Sequence, residues 1–373
     1  MEFMKIAIDG RGATAYNGSG IGTYTINLIN NINYDSDNQY NIIWTGNYDS
    51  LYKKENIKYT FCSIKNSRFF DKYYIPALLN RQNIDIYHIP QNGIGLLLDS
   101  NINTVITLHD LIPYIMPETV GRGYLDVFLK NMPNKINSSV GILTVSNHSK
   151  NDILKFFPSY PAERICVTPL AANSTFYPQD KTICKKTIKK LYNIDSPYIL
   201  YVGGFSKRKN VKNLILAYEK IYSSLKETHK LLIAGSLKDE GLALSDLVTS
   251  KGLNNNIIFL GYVKDSVLPT LYNACEAFVY PSLYEGFGLP VLEAMSCKIP
   301  VITSNTTSIP EITGPCAITI NPNNIDELSF HLLSLLNNPD LKDEFGKKGY
   351  QRSLQFSWKL TTDKTIEFYN SLL

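Results

Sequence analysis

Two glutamates eight positions apart, Glu285 and Glu293, bracket the stretch Glu285-Gly-Phe-Gly-Leu-Pro-Val-Leu-Glu293. Glycines let a backbone approach a ligand closely and adopt positive φ. Proline suits the first helical position, where its missing N–H is not needed. A helix beginning at Pro290 presents unpaired N–H groups and a partial positive charge to an anion. The stretch therefore reads as a site for a polar ligand carrying phosphate. Two carboxylates so close also read as the acid and base of glycoside hydrolysis, but the turn and helix start between them favour anion binding. Glu293, inside the helix, can accept both hydroxyls of a ribose. Glu285, before the turn, can hold the hydroxyls of a sugar. A solvated loop with two acids is the bland alternative, and Phe287, Leu289, Val291 and Leu292 make the surroundings too apolar for it.

Three further stretches carry chemistry. In Val202-Gly-Gly-Phe-Ser-Lys-Arg-Lys-Asn210 a strand ends in Gly203-Gly204 and three cations precede a helix. Cations at a helix N-terminus are unfavourable without an anion, so Lys207, Arg208 and Lys209 suggest a diphosphate, each charge-assisted bond being worth about 1.5–3 kcal/mol. The early loop Asn17-Gly-Ser-Gly-Ile-Gly-Thr23 places Gly18, Gly20 and Gly22 where a backbone can approach a phosphate or sugar; a ligand-free turn reads equally well. In Leu108-His109-Asp110-Leu111-Ile112-Pro113, His109 follows an apolar strand. It can donate to a substrate oxygen or shuttle a proton, although strand-end histidines are more often structural. His88 is a weaker candidate of the same kind.

These residues need strands to aim them. Ten apolar runs fit strands: Lys5–Asp9, Tyr40–Thr45, Ile84–Ile89, Thr104–Leu108, Gly141–Val145, Tyr198–Val202, Lys230–Ala234, Ile257–Leu260, Ala277–Tyr280 and Pro300–Thr303. Continuous apolar runs suit parallel strands buried on both faces. Helical spacing lies between them, as in Val211, Leu214, Ile215, Tyr218, Ile221, Tyr222 and Leu225. Alternating β and α elements predict parallel sheets with helices on both faces. The alternation pauses over Thr168–Pro197, near the expected domain boundary. Two α/β halves facing a cleft would bind ligands at the carboxyl ends of their strands.

At 373 residues with 44% hydrophobic content, the chain has room for two such domains. A net charge of +4 suits phosphorylated substrates and falls short of a nucleic-acid signature. The six cysteines form no Cys-x-x-Cys pair and read as reduced, mostly buried cytosolic thiols. We expect no metal site. No secretory signal opens the chain, and no apolar run reaches the roughly 18 residues of a membrane span. Residues 1–3 are either a cloning remnant or a natural extension. The basic stretch with Lys185, Lys186, Lys189 and Lys190 reads as a solvated face. Lys53-Lys54 and Arg68-Phe-Phe-Asp-Lys-Tyr-Tyr74 read as solvated loop or as peripheral contact with the inner face of a membrane.

Together these motifs closely resemble the large retaining glycosyltransferase family numbered four, of GT-B architecture, and within it bacterial O-antigen mannosyltransferases. The Glu-x7-Glu motif, the Lys207-Arg-Lys-Asn210 loop, Thr107-Leu-His-Asp110, Gly18-Ser-Gly-Ile-Gly22 and Ser304-Asn-Thr-Thr-Ser-Ile-Pro-Glu311 carry the resemblance end to end. It implies an α/β GT-B fold of two Rossmann-like parallel-sheet domains facing a cleft. Residues 1–175, with a C-terminal helix at about 356–373 packing back on them, would form the acceptor side. Residues 176–355 would bind the nucleotide sugar. Glu293 would hold the ribose, Arg208 and Lys209 the diphosphate. Glu285 and the N–H groups of Gly286, Phe287, Gly288 and Leu289 would hold the donor sugar. His109 would sit beside the reacting carbon, and Gly20 and Gly22 would line the N-terminal side. Many members carry arginine where this chain has Gly204, which would shift phosphate charge onto Arg208, Lys209 and Lys207.

The implied activity is a metal-independent, retaining transfer of a hexose to a glycan or lipid-linked hydroxyl, with GDP-mannose the first donor and a UDP-sugar the other. No cofactor beyond the donor is expected, and no nucleic acid. A nucleotide-sugar epimerase or hydrolase, and a non-catalytic nucleotide-sugar binder, are the competing readings.

Overall fold

The computed structural model describes residues 3–32, 37–46, 54–95, 102–237 and 239–373. Residues 1–2 and Lys53, which the sequence reading touched, lie outside the described residues. The chain divides into two compact units, one of Met1–Leu170 with Ser357–Leu373, the other Ala171–Phe356.

The first unit is built on a seven-stranded sheet ordered β3-β2-β1-β4-β5-β6-β7. Its strands are β1 Lys5–Asp9, β2 Gln39–Trp44, β3 Ile57–Phe61, β4 Ile86–Ile89, β5 Asn103–Leu108, β6 Gly141–Thr144 and β7 Ile165–Val167. The second holds a six-stranded sheet ordered β10-β9-β8-β11-β12-β13. Its strands are β8 Tyr198–Val202, β9 Lys230–Ala234, β10 Ile257–Gly261, β11 Ala277–Tyr280, β12 Val301–Ser304 and β13 Ile318–Ile320. Every pairing between these strands is parallel. The central strands are apolar and buried throughout, as in Ile6, Ile8, Ile199, Leu200, Phe278 and Val279, because helices cover both faces.

The strand order reverses between β1 and β4 in the first unit, and between β8 and β11 in the second. At such a switch point the loops leaving adjacent strands diverge to opposite faces and open a crevice at the carboxyl ends. In the second unit, β8 and β11 are in register at Ile199 with Ala277 and at Leu200 with Phe278. That juxtaposition brings the loop after Val202 beside the loop after Tyr280.

The ten expected strands are all present within a few residues. The three that apolar runs did not predict, β3, β7 and β13, are all sheet edges. β3, Ile-Lys-Tyr-Thr-Phe, interleaves polar residues, and β7 and β13 are three residues each, too short to read as the continuous run that marks an inner strand. The helix after Asn210 ends at Ile221, earlier than its apolar spacing suggested, and Tyr222 is exposed.

The C-terminal helix Trp358–Ser371 belongs to the first unit. Its buried face is Trp358, Thr361, Thr362, Thr365, Phe368 and Tyr369, whereas Leu360 is exposed. Two of the threonines hide their polarity by donating to carbonyls one turn back, Thr361 to Ser357 and Thr365 to Thr361. Tyr369 Oη lies 2.6 Å from His88 Nδ1, and His88 Nε2 lies 2.7 Å from Thr107 Oγ1. His88 is therefore a structural residue that ties this helix to β4 and β5. Burial and the nearby His109 push its pKa down to about 3.

All six cysteines are free thiols, but only Cys184, Cys275 and Cys297 are buried. The basic stretch forms the helix Lys181–Tyr192. It is not purely a solvated face: Lys181 and Lys185 both pair with Glu276, at 3.1 and 2.9 Å. Burial raises the Glu276 pKa, and the two lysines outweigh it and hold it at about 2. Arg68–Tyr74 is helical, with Phe69 and Tyr73 exposed. Asp71 fastens it to Arg11 at 2.7 Å, and Arg11 also pairs with the fully buried Asp9.

Candidate active site

The crevice at the ends of β8 and β11 contains the cations and the first glutamate. Lys207–Lys209 forms one 3-10 turn, after which Asn210 takes a left-handed conformation, φ +58°, and the helix Val211–Ile221 begins. Asparagine tolerates that conformation better than most residues. Its side-chain amide donates to Pro281 O at 3.1 Å and to Pro322 O at 2.7 Å, stapling three loops. Leu283 N donates to Arg208 O at 2.8 Å, a direct backbone brace between the two loops.

Glu285 is the hub. Its Oε1 accepts from Arg208 Nη1 at 2.9 Å, Lys209 Nζ at 2.7 Å, Tyr280 Oη at 3.1 Å and Ser282 Oγ at 2.6 Å. Lys209 Nζ also donates to Tyr280 Oη, and Arg208 Nη1 to Tyr284 O. The residue is 8% exposed. Burial alone would raise its pKa; the charges of Lys209 and Arg208 and the bonds from Lys209 and Ser282 outweigh that and hold it at about 2. The carboxylate is therefore ionised at neutral pH. The sequence reading gave the glutamate to sugar hydroxyls and the cations to phosphate, as separate tasks. The geometry joins them in one ion-pair cluster, in which Glu285 fixes the cations in place.

After Glu285 the chain turns through Gly286 and Phe287 to Gly288, which has φ +113°. A Cβ on Gly288 would lie 2.6 Å from Ile309 Cδ1, so both conformation and space demand glycine. The helix Leu289–Ser296 follows with Pro290 in its first turn and no side-chain cap; Pro290 has no N–H and Val291 and Leu292 donate to Gly288 O, so Leu289 is the helical residue whose N–H can meet an external acceptor. Half-buried Glu293 accepts from Tyr272 Oη at 3.0 Å. Burial pushes its pKa up to about 7; the Tyr272 bond works against this and the charge of Asp265 adds to it.

The loop after β12 supports the turn. Thr306 Oγ1 lies 3.3 Å from Leu283 O, and Thr307 Oγ1 accepts from Glu285 N at 3.2 Å. The fully buried Ser308 hydroxyl lies 2.9 Å from Glu285 O and 2.8 Å from Phe287 O. Gly204, near the start of the loop after β8, has open space where a Cβ would be, and its carbonyl accepts from Tyr201 Oη at 2.6 Å.

The remaining expected residues stand in the first unit. His109 is buried, and its Nε2 lies 2.9 Å from Pro90 O. A carbonyl only accepts, so Nε2 carries the proton and Nδ1 is the bare nitrogen. Burial lowers the ring's pKa to about 4, with the Pro90 bond opposing. A neutral ring already committed to a backbone carbonyl is a poor proton shuttle, and donation to substrate would require exchanging that bond. His109 N donates to Asn92 Oδ1 at 2.9 Å, and the ring packs edge-on against Tyr24. Gly22 is a packing residue: a Cβ there would lie 2.2 Å from Tyr16 O. Ser19 caps the helix Gly20–Asn31 by accepting from Gly22 N, and Gly20 is exposed at its first turn.

Tyr280, Ser282, Asn210, Thr307 and Ser308 were not singled out from the sequence. Tyr280 and Ser282 show a recoverable signal, two polar groups ending a buried strand one residue apart. The expectation that neither half carries an Asp-x-Asp metal motif is wrong on the sequence itself, which contains one such triplet, Asp35-Ser-Asp37; residues 33–36 lie outside the described residues. Among the described residues no group of three or more His, Cys, Asp or Glu could hold a metal, and no helix is long and apolar enough to cross a membrane.

Comparison with known proteins places this geometry. The profile of the group 1 glycosyl transferases matches residues 185–352. The chain is 36% identical over 287 residues to O-antigen chain mannosyltransferase B of Escherichia coli, covering 77% of this chain and 74% of that protein. It is 30% identical over 274 residues to the serotype-specific mannosyltransferase WbdA of Escherichia coli, 72% of this chain but only 34% of that longer protein. Among solved structures, Anabaena HepE in complex with UDP and glucose superposes with a TM-score of 0.76 at 18% identity, over 99% of this chain and 100% of that one. The fold is GT-B, and the chain belongs to the group 1 glycosyl transferases.

Proposed function

We propose that this enzyme is a retaining hexosyltransferase whose donor is a nucleotide sugar bound by the second unit. The observation that carries the proposal is the Arg208–Lys209–Glu285 cluster beside the uncapped helix Leu289–Ser296. As the glycosidic bond breaks, its electron pair passes to the departing diphosphate. Arg208, Lys209 and the helix N-terminus can stabilise that charge. Their positions are set beforehand by Glu285, Tyr280 and Ser282, and such preorganised donors are typically worth 10²–10³ in rate each. With the leaving-group charge met by these groups, the transfer needs no metal. The acceptor hydroxyl attacks the anomeric carbon on the face the diphosphate leaves, and a phosphate oxygen of the leaving group takes its proton. Glu285, held by four donors, is not the nucleophile.

Within the site, Glu293 takes the ribose hydroxyls, and the N–H groups of Gly286–Leu289 take the donor's phosphate and sugar oxygens. GDP-mannose is the first donor, supported by the mannosyltransferase relatives. A UDP-sugar is the second, supported by the HepE complex. The acceptor is a glycan or lipid-linked hydroxyl. Exposed Phe69 and Tyr73, flanked by Arg68 and Lys72, suit peripheral contact with an anionic membrane.

A thermal-shift panel of nucleotide sugars tests the donor assignment. One donor is expected to raise the unfolding temperature selectively, and the shift should disappear in Lys209→Ala. No shift with any nucleotide sugar, or an equal shift in the variant, would overturn the site.

A further inference from the structure

Thr307 adopts φ +59°. A β-branched residue in the left-handed region is a genuine conformational outlier, because its branched Cβ crowds the backbone there. Such conformations persist where surrounding structure over-determines them, and they cluster at functional sites. At Thr307 the restraints are visible. Its hydroxyl accepts the Glu285 N–H at 3.2 Å. Its neighbours Thr306 and Ser308 reach the carbonyls of Leu283, Glu285 and Phe287. Three consecutive hydroxyl residues from the end of β12 thus hold the backbone on both sides of Glu285, more than twenty positions earlier in sequence.

The consequence runs through the cluster. The Glu285 backbone determines where its carboxylate sits, and the carboxylate determines where Arg208 and Lys209 sit. The same backbone leads into the Gly286–Gly288 turn and so aims the Leu289 N–H that opens the helix Leu289–Ser296. A side chain that touches none of the reacting atoms therefore controls both groups that face the leaving diphosphate. Ile309 and Ser308 beside it are both fully buried.

The geometry points to Thr307 as a positioning residue for the transfer step, its hydroxyl holding Glu285 and through it Arg208 and Lys209 in register with the leaving diphosphate. This inference rests on the donor site proposed above.

Three substitutions separate hydroxyl from strain. Thr307→Val keeps the branched, strained backbone and removes the acceptor. Thr307→Gly removes both, and Thr307→Ser keeps the acceptor with less crowding. With the intact enzyme and the donor chosen by the shift panel, Val and Gly should each lower kcat by roughly tenfold or more, while donor KM changes by less than about threefold. Ser should recover most of kcat. The unfolding temperature of Gly should stay near that of wild type. The inference is overturned if Val and Gly retain kcat within about twofold, if Ser is as impaired as Val, or if the loss of kcat simply follows a loss of thermal stability. A wild-type enzyme that transfers no hexose from any nucleotide donor would instead bring down the proposed function, and this inference with it.

Discussion

Glu285→Gln removes the charge at the centre of the site while keeping its shape. The folded carboxyl titrates at about 2 against an ordinary 4.5. At about 1.4 kcal/mol per pH unit, that gap is worth about 3 kcal/mol of stability at neutral pH. An independent estimate agrees: breaking a buried ion pair by removing one partner typically costs about 3–5 kcal/mol. Here two cations, both about 15% exposed, would lose their counter-charge. The sign follows from a folded pKa below the unfolded one. The stabilisation is complete above about pH 4.5 and fades as the pH falls from 4.5 towards 2. Urea unfolding of wild type and variant at pH 7 should therefore differ by about 3 kcal/mol, and the difference should shrink on acidification below pH 4.5. A nucleoside diphosphate supplies the missing negative charge, so it should stabilise the variant at least as much as wild type. Transfer should nonetheless fall by roughly 10²-fold, since the cations are no longer held in place. A variant within about 1 kcal/mol of wild type at pH 7, or a difference that ignores pH, would refute the reasoning.

Three further outcomes are expected. Glu293 has the opposite bias: its folded pKa, about 7, lies above the ordinary 4.5, so ionisation costs stability as pH rises between those values. Glu293→Gln should then be as stable as wild type or roughly 1–3 kcal/mol more stable at pH 8, while nucleotide affinity by calorimetry falls. Gly288→Ala forces a Cβ against buried Ile309 at positive φ and should cost roughly 1–3 kcal/mol by thermal unfolding. Tyr369→Phe deprives His88 Nδ1 of its partner, which should cost roughly 1–3 kcal/mol and speed proteolysis within Trp358–Ser371.

The inner strands were legible because parallel strands covered on both faces are written as unbroken apolar runs. β3, β7 and β13 were not, because β3 interleaves Lys58 and Thr60 with its apolar residues and β7 and β13 have only three residues each, whereas the edge strand β10 carries an apolar run and was legible. The site was legible as a set of residue types: Glu285, Glu293, Arg208 and Lys209 all lie in the second unit, at the ends of β8 and β11 and in the helix that follows. Their coupling was not legible. Arg208 and Glu285 are 77 positions apart, and only the adjacency of β8 and β11 makes them neighbours. The same limit hid His88, whose partner Tyr369 lies 281 positions away. Thr307 was quoted within a motif, but nothing in a side-chain pattern announces a strained φ. The tautomer of His109 is likewise set by a backbone carbonyl, which one-dimensional spacing does not display.

The most direct test of retaining transfer from a nucleotide sugar is time-resolved NMR of the wild-type enzyme with its selected donor, a glycan acceptor and a metal chelator. The account predicts a new glycosidic bond with the donor's own anomeric configuration, formed in step with release of the nucleoside diphosphate. An inverted anomeric centre, or nucleoside diphosphate released with no acceptor glycosylated, would contradict it.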